Sequence, residues 1–306
     1  MNLGGCLSRR MFLKGSLTLL AAPGFLVPAI ASQKGDGGRS MLSVARSRDP
    51  FEATVRAVDL LGGMERFVSR GNRVLIKPNI GWDRRVEQAA NTHPEVVKAL
   101  AEMCLEAGSR EILILDRTCN DARRCYRTSG ILDMVKGISN PGVSLEYVNE
   151  NRFRKTNIPR GVVVRQWPLY DEALKADVII NVPVAKHHSI SGLTLGMKNL
   201  MGLMGGNRGT FHSGIGQKLA DLASVIAPRL TILDATRILV RNGPTGGRLE
   251  DVRVLNQVAA SPDPVALDAY GTTLFNLAPG DLSSVVAGYR MGLGEMDLAK
   301  IRIKEE

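Results

Sequence analysis

Three of the four histidines of the chain, His187, His188 and His212, fall within residues 176–214, together with Lys186 and Lys198. Imidazoles titrate near neutrality and ligate metals. Ammonium groups hold anions and, once deprotonated, serve as bases or nucleophiles. The stretch opens as an apolar run at 177–182 and then carries glycines at 192, 196, 202, 205, 206, 209 and 214. Glycine lets a backbone come close to a ligand, so the segment around Lys198 reads as a glycine-rich ligand loop or a lid. Adjacent His187 and His188 would face opposite sides of a strand, so one of them faces the site. A cluster of His93, His188 and His212 would suit a transition metal or an acid–base pair.

Two shorter motifs point the same way. Lys77-Pro78-Asn79 ends an apolar run at 73–77, and Lys186 follows Pro183 at the end of another. A lysine there can reach into a crevice and hold an anion. Thr92-His93-Pro94-Glu95 has the form of a capping box, which places His93 at a helix N-terminus where free N–H groups favour anions. The candidate set is therefore His93, His188 and Lys198 for acid–base or nucleophilic work. Lys77, Asn79, Lys186, Asn199 and His212 would hold a cofactor or small anionic ligand. A Walker loop, a G-x-G-x-x-G fingerprint, a G-x-S-x-G elbow and H-E-x-x-H are all absent from the sequence, which weakens nucleotide, hydrolase and zinc-protease readings.

The elements that must position these residues alternate. Strands are expected at 41–45, 73–77, 111–115, 143–148, 162–164, 177–182, 230–233, 254–259 and 300–303. Helices are expected after Asp49-Pro50, after Thr92, at 131–135, 171–176 and 214–227, after Ser261-Pro262-Asp263-Pro264, and at 283–291. This is an α/β fold with a mainly parallel sheet and flanking helices, Rossmann-like, as one large domain or two closely packed lobes. In such sheets ligands bind beyond the carboxyl ends of the strands, where Lys77-Asn79, Asp116 and Asn181 through Lys186 fall.

The N-terminus reads as an address. Residues 8–14, SRRMFLK, match a twin-arginine signal. An apolar run at 15–30 and an A-I-A site at 29–31 follow. Residues 1–31 are the expected signal peptide, 32–40 a flexible leader, and 41–306 the folded domain, a mature chain of about 275 residues. The expected partner in export is the twin-arginine translocase, and the expected location is periplasmic or extracellular. The formal net charge is +10 for 306 residues, the cationic residues are scattered, and aromatic content is 5%, so nucleic acid is not an expected partner. Cys104, Cys119 and Cys125 remain after cleavage, too few for a four-cysteine iron–sulfur site. A disulfide between Cys119 and Cys125 is left open.

Lys77-Pro78-Asn79, Thr92-His93-Pro94-Glu95, Asn181-Val182-Pro183 with Lys186 and His188, Thr194 with Lys198-Asn199 and Gly202, and Ser261-Pro262-Asp263-Pro264 with Asp268 together resemble the family called domain of unknown function 362. The resemblance spans roughly residues 41–290. It implies the fold and the position of the site, frequent twin-arginine export, and no settled reaction. The ferredoxin-like cysteines of some members are missing here. A more distant similarity is to nickel-dependent lactate racemases. In those enzymes a histidine precedes, by ten residues, the glycine-loop lysine that anchors a pincer nickel cofactor, as His188 precedes Lys198. The double glycine before that lysine is replaced by Gly196-Met197. Two functional readings follow. One is a cofactor- or metal-dependent enzyme, of redox or isomerase type, acting on a small anionic substrate. The other is a non-catalytic binding or accessory protein with a redox partner protein.

Overall fold

In the computed structural model, residues 39–306 are described. The twin-arginine segment and the leader up to residue 38 lie outside the described residues. Ser40, the last leader residue, is docked: its Oγ donates to Asp263 Oδ2 at 2.5 Å.

The apolar runs become strands buried on both faces. β1 (Met41–Arg46) leads to α1 (Pro50–Asp59), capped by Asp49. β2 (Arg73–Pro78), α2 (Pro94–Glu106) and β3 (Glu111–Ile114) form a βαβ unit. α3 (Ala122–Thr128) and α4 (Ile131–Gly137) precede β4 (Val143–Leu145). A separate hairpin of β5 (Phe153–Asn157) and β6 (Gln166–Tyr170) is followed by α5 (Asp171–Lys175). β7 (Val178–Val182), β8 (Val184–His188), β9 (Gly192–Thr194) and α6 (Gly196–Asn199) carry most of the candidate chemistry. α7 (Ile215–Ile226), β10 (Leu230–Leu239), β11 (Val252–Ser261), α8 (Pro264–Thr273), α9 (Ser283–Arg290) and β12 (Arg302–Glu305) complete the chain.

The main sheet runs β12-β1-β11-β10-β7-β2-β3-β4. Every neighbouring pair is parallel except β1–β11 and β10–β11. β8 continues beside β10 in parallel and pairs with β9 in an antiparallel hairpin. Alternate strand residues feed two hydrophobic layers. Leu75, Leu113 and Ile179 pack with α6 to α9, while Val74, Ile76, Ile112 and Ile180 pack with α1, α2 and α4. Burial on both faces is why these strands read as continuous apolar runs. The result is one three-layer α/β domain rather than two lobes.

Local expectations differ in several places, and β5, β6, β8 and β9 are strands that the sequence pattern does not announce. The capping box does not form: His93 itself caps α2, its Nδ1 accepting from Glu95 N at 3.0 Å. Thr92 Oγ1 instead accepts from Asn79 N and donates to Val182 O, tying β2 to β7. Residues 162–164 are not a strand, because their three N–H groups donate to the Asp221 carboxylate, each at 2.8 Å. The segment around Lys198 is neither open loop nor lid. It is α6 followed by a 3₁₀ turn, Leu200–Leu203, and both are largely buried.

Candidate functional site

Within the parallel part of the sheet, β2 leads outward to β3 and β4, and β7 leads the other way to β10. Their carboxyl ends therefore open a crevice at the point where the strand order diverges. There Lys77 lies beside Asn181 and Pro78 beside Val182. The cleft encloses about 420 Å³ including its mouth. Lys77, Asn79, Lys186, His188, Lys198 and Asn199 all line it. A larger hollow between α1 and α2, about 640 Å³, is lined by Asp59, Glu65, Glu102 and Glu106 with apolar neighbours. It holds none of the candidate residues.

The three lysines differ in how their hydrogens are used. Lys77 Nζ donates to Pro78 O and Asn199 Oδ1, both at 2.8 Å, and faces Asp116 Oδ1 at 2.9 Å. Burial lowers its pKa and the Asp116 carboxylate opposes that. Lys186 Nζ donates to Ala90 O at 2.6 Å and Asn79 Oδ1 at 3.0 Å, both neutral acceptors. Burial brings its pKa down to about 7. Lys198 Nζ has no hydrogen-bond partner among the described residues, and burial brings its pKa down to about 8. Asp116 is the one carboxylate among the residues lining the cleft.

Asn199 is saturated by the protein, and Asn79 is partly so. Asn199 Oδ1 accepts from Lys77 and from Asn79 Nδ2, while its Nδ2 donates to Asn181 Oδ1 and Lys77 O. Asn79 and Asn199 therefore hold Lys186 and Lys77 in place. Asp268, fully buried, accepts from Gly196 N at 2.6 Å and Met197 N at 3.0 Å, which fixes the first turn of α6. Burial pushes its carboxyl up to about 7. The glycines make room for this machinery. A Cβ on Gly202 would stand 1.7 Å from Asp116 Oδ1 and 2.5 Å from Lys77 Cε, and one on Gly196 would stand 2.8 Å from Asp268 Oδ1.

His188 is buried, and its Nδ1 accepts from Ile190 N at 3.1 Å and Ser191 N at 3.3 Å. The neutral ring then carries its proton on Nε2. Burial, with Lys198 and Lys186 adding repulsion, drives its pKa to about 3. His188 is thus a neutral N–H donor and not a base. His212 stacks against it, ring centroids 6.0 Å apart, and its Nδ1 donates to Gly209 O. His187 turns away and accepts from Gly243 N. His93 is not among the residues lining the cleft. Its pKa is lowered by burial against the pull of Asp234. The histidine trio therefore does not assemble. Among the described residues, no three His, Cys, Asp or Glu side chains converge to hold a metal ion.

Several lining residues are absent from the candidate set drawn from the sequence, and four of them bear on the chemistry of the cleft. Asp116 was recognised only as a polar strand end. Arg208 donates to Arg117 O and Thr118 O and has no carboxylate partner among the described residues. Thr194, opposite Lys186 in the β8–β9 hairpin, has a buried Oγ1 without a hydrogen-bond partner. Cys119 is exposed and free, and Arg208 Nη2 reaches its Sγ at 3.8 Å. Cys104 and Cys125 are buried and also free, so Cys119 and Cys125 are not bridged.

Fold and crevice together define an α/β protein of the open parallel-sheet class with its candidate site at the switch point. The chain belongs to the family described as domain of unknown function (DUF362), whose model matches residues 74–273. Thylakoid-associated protein sll1697 of Synechocystis sp. is 31% identical over 279 residues, covering 87% of this chain and 79% of that protein. Among solved structures, the lactate racemase apoprotein of Thermoanaerobacterium thermosaccharolyticum shares 12% identity with a TM-score of 0.48, over 77% of this chain and 56% of that one. A protein from Thermotoga maritima shares 11% with a TM-score of 0.42, over 80% and 60%. The chain thus spans little more than half the length of these two structures.

Proposed function

We propose that the cleft is the site of an enzyme that binds a small multiply anionic ligand, a carboxylate or phosphate, and moves a proton on it. The observation that carries this reading is the uneven use of the lysines. Lys186 is buried and Lys198 half-buried, and neither is in contact with a carboxylate, Asp116 acting on both only at a distance, a costly arrangement unless a ligand supplies further charge. Arg208 adds to the same field. A bound anion would accept from Lys186 and Lys198, and the Nε2–H of His188 would donate to a neutral oxygen of the ligand. Lys198, half-deprotonated near pH 8, is the group suited to proton transfer. No step is assigned to a metal, because the described residues do not form a site for one.

Titration calorimetry with malonate and with inorganic phosphate tests the reading. Binding is expected in the wild type, weakened at least about tenfold in Lys186→Met and Lys198→Met, since losing one charge-assisted hydrogen bond costs about 1.5–3 kcal/mol. Absence of binding by either anion would overturn it. An accessory protein would bind the anion without turnover and would copurify with a stable partner. Export by the twin-arginine route belongs to the same proposal. Replacing Arg9 and Arg10 by lysine should leave the chain in the cytoplasm on cell fractionation, and unchanged export would refute that part.

A further inference from the structure

We propose that Lys198 is a nucleophile that forms an imine with a small oxo acid, a carboxylate bearing a ketone or aldehyde, held in the cleft. The proposal rests on the reading of the cleft as an anion site and names the substrate class.

The argument begins with the division of labour among the lysines. Lys77 has two hydrogen bonds to protein oxygens and an ion pair with Asp116, and Lys186 has two hydrogen bonds. Both side chains are 1% exposed. Lys198 lines the same cleft with no acceptor among the described residues, so its amine is the one not committed to the scaffold. The backbone beneath it is held firmly, by Asp268 on the turn before it and by the Asn199 hydrogen bonds just after it. A fixed stem with an uncommitted amine is the arrangement a covalent lysine needs.

The second observation is the character of the other donors. Thr194 Oγ1 is buried and without a partner, and it lines the cleft. His188 offers Nε2–H from a ring whose other nitrogen is occupied by backbone N–H groups. Both are neutral donors, and neutral donors suit a carbonyl oxygen better than a second charged group. Lys186 and Arg208 remain for the carboxylate. The burial that lowers the Lys198 pKa to about 8 leaves a usable fraction of free amine near that pH, which a surface lysine at about 10.4 lacks.

The step balances without an oxidant or reductant. The lone pair of neutral Nζ attacks the carbonyl carbon, and the C=O π pair goes to oxygen. A proton passes from nitrogen to that oxygen to give a carbinolamine. The C–O bond then breaks as the oxygen takes a further proton and leaves as water, while nitrogen forms the double bond to carbon. The sum is ammonium plus carbonyl giving iminium plus water.

The test uses glyoxylate, the smallest such acid, with cyanoborohydride as the trap and peptide mapping by mass spectrometry. The expected result is an adduct of the acid, less water and plus two hydrogens, on the peptide carrying Lys198. It should form at least about tenfold faster than adducts on exposed lysines, given their far smaller free-amine fraction. Excess malonate should suppress it. Lys198→Arg should lose the adduct while unfolding at a similar temperature. Malonate binding with no Lys198 adduct above the exposed-lysine level would overturn the imine and leave the anion site standing. Labelling of Lys198 that malonate neither binds against nor suppresses would overturn the anion site and the bound oxo acid together.

Discussion

Buried charges in this protein come in two kinds. On the α7 and α8 side, buried carboxylates are saturated by backbone N–H groups. Asp221 accepts from residues 162, 163 and 164, Asp268 from 196 and 197, and Asp263 from 265, 266 and 295. These carboxylates stitch loops and helix ends to the core. In the cleft, the ammonium groups descend from two hydrogen bonds and an ion pair at buried Lys77, to two hydrogen bonds at buried Lys186, to none at half-buried Lys198. On the proposed reading, the difference separates structure from function. Native proteins pair nearly all their buried polar groups, so a local shortage of partners marks where a ligand is to supply them.

The comparison can be broken first at its saturated end. Lys77→Met leaves Asp116 buried without its ion pair, and denaturant unfolding should show a loss of about 3–5 kcal/mol. A much smaller loss would mean that Lys77 is no more committed than Lys198. At the unsaturated end the sign reverses. The folded pKa of Lys198, about 8, lies below its unfolded value of about 10.4. The unfolded state therefore binds more protons, and the amine costs stability. Removing it in Lys198→Met should raise ligand-free stability by about 1–3 kcal/mol at pH 7. The cost is fully present below about pH 8 and shrinks as pH rises toward about 10.4, so the gain should fade over that window. A loss of stability on removing it would reveal a partner for the amine. The smallest effect is expected at His93, which caps α2 outside the cleft. His93→Ala should cost about 1 kcal/mol, as loss of an N-cap does, and leave malonate affinity unchanged. Weakened binding would place His93 in the site.

Much of this layout was legible in the sequence, and the exceptions have physical causes. Apolar runs buried on both faces announced β2, β3 and β7, so Lys77 and Asn79 at a strand end were found. Lys186 was found by the same strand-then-Pro pattern. The role of His93 was misread because a histidine before a helical proline looks the same whether it caps the helix or faces a ligand. The glycines at 196 and 202 were rightly read as close approach, but the approaching groups are Asp268, Asp116 and Lys77, brought from distant segments. Arg208 carries no local signal, and Thr194 is marked only by the family resemblance. Their place depends on the β8–β9 hairpin and on the carbonyls of residues 117 and 118. Residues 162–164 have strand-like side chains, yet the Asp221 carboxylate outcompetes any strand partner for their N–H groups.

Proton uptake on anion binding tests the central claim most directly. If Lys186 and Lys198 await an anion, malonate must raise both pKa values, which start at about 7 and about 8. Calorimetry at pH 8 in buffers of different ionisation enthalpy should then show uptake of a substantial fraction of a proton per malonate, reduced in Lys198→Met. Binding without proton uptake, or uptake unchanged in Lys198→Met, would contradict the account.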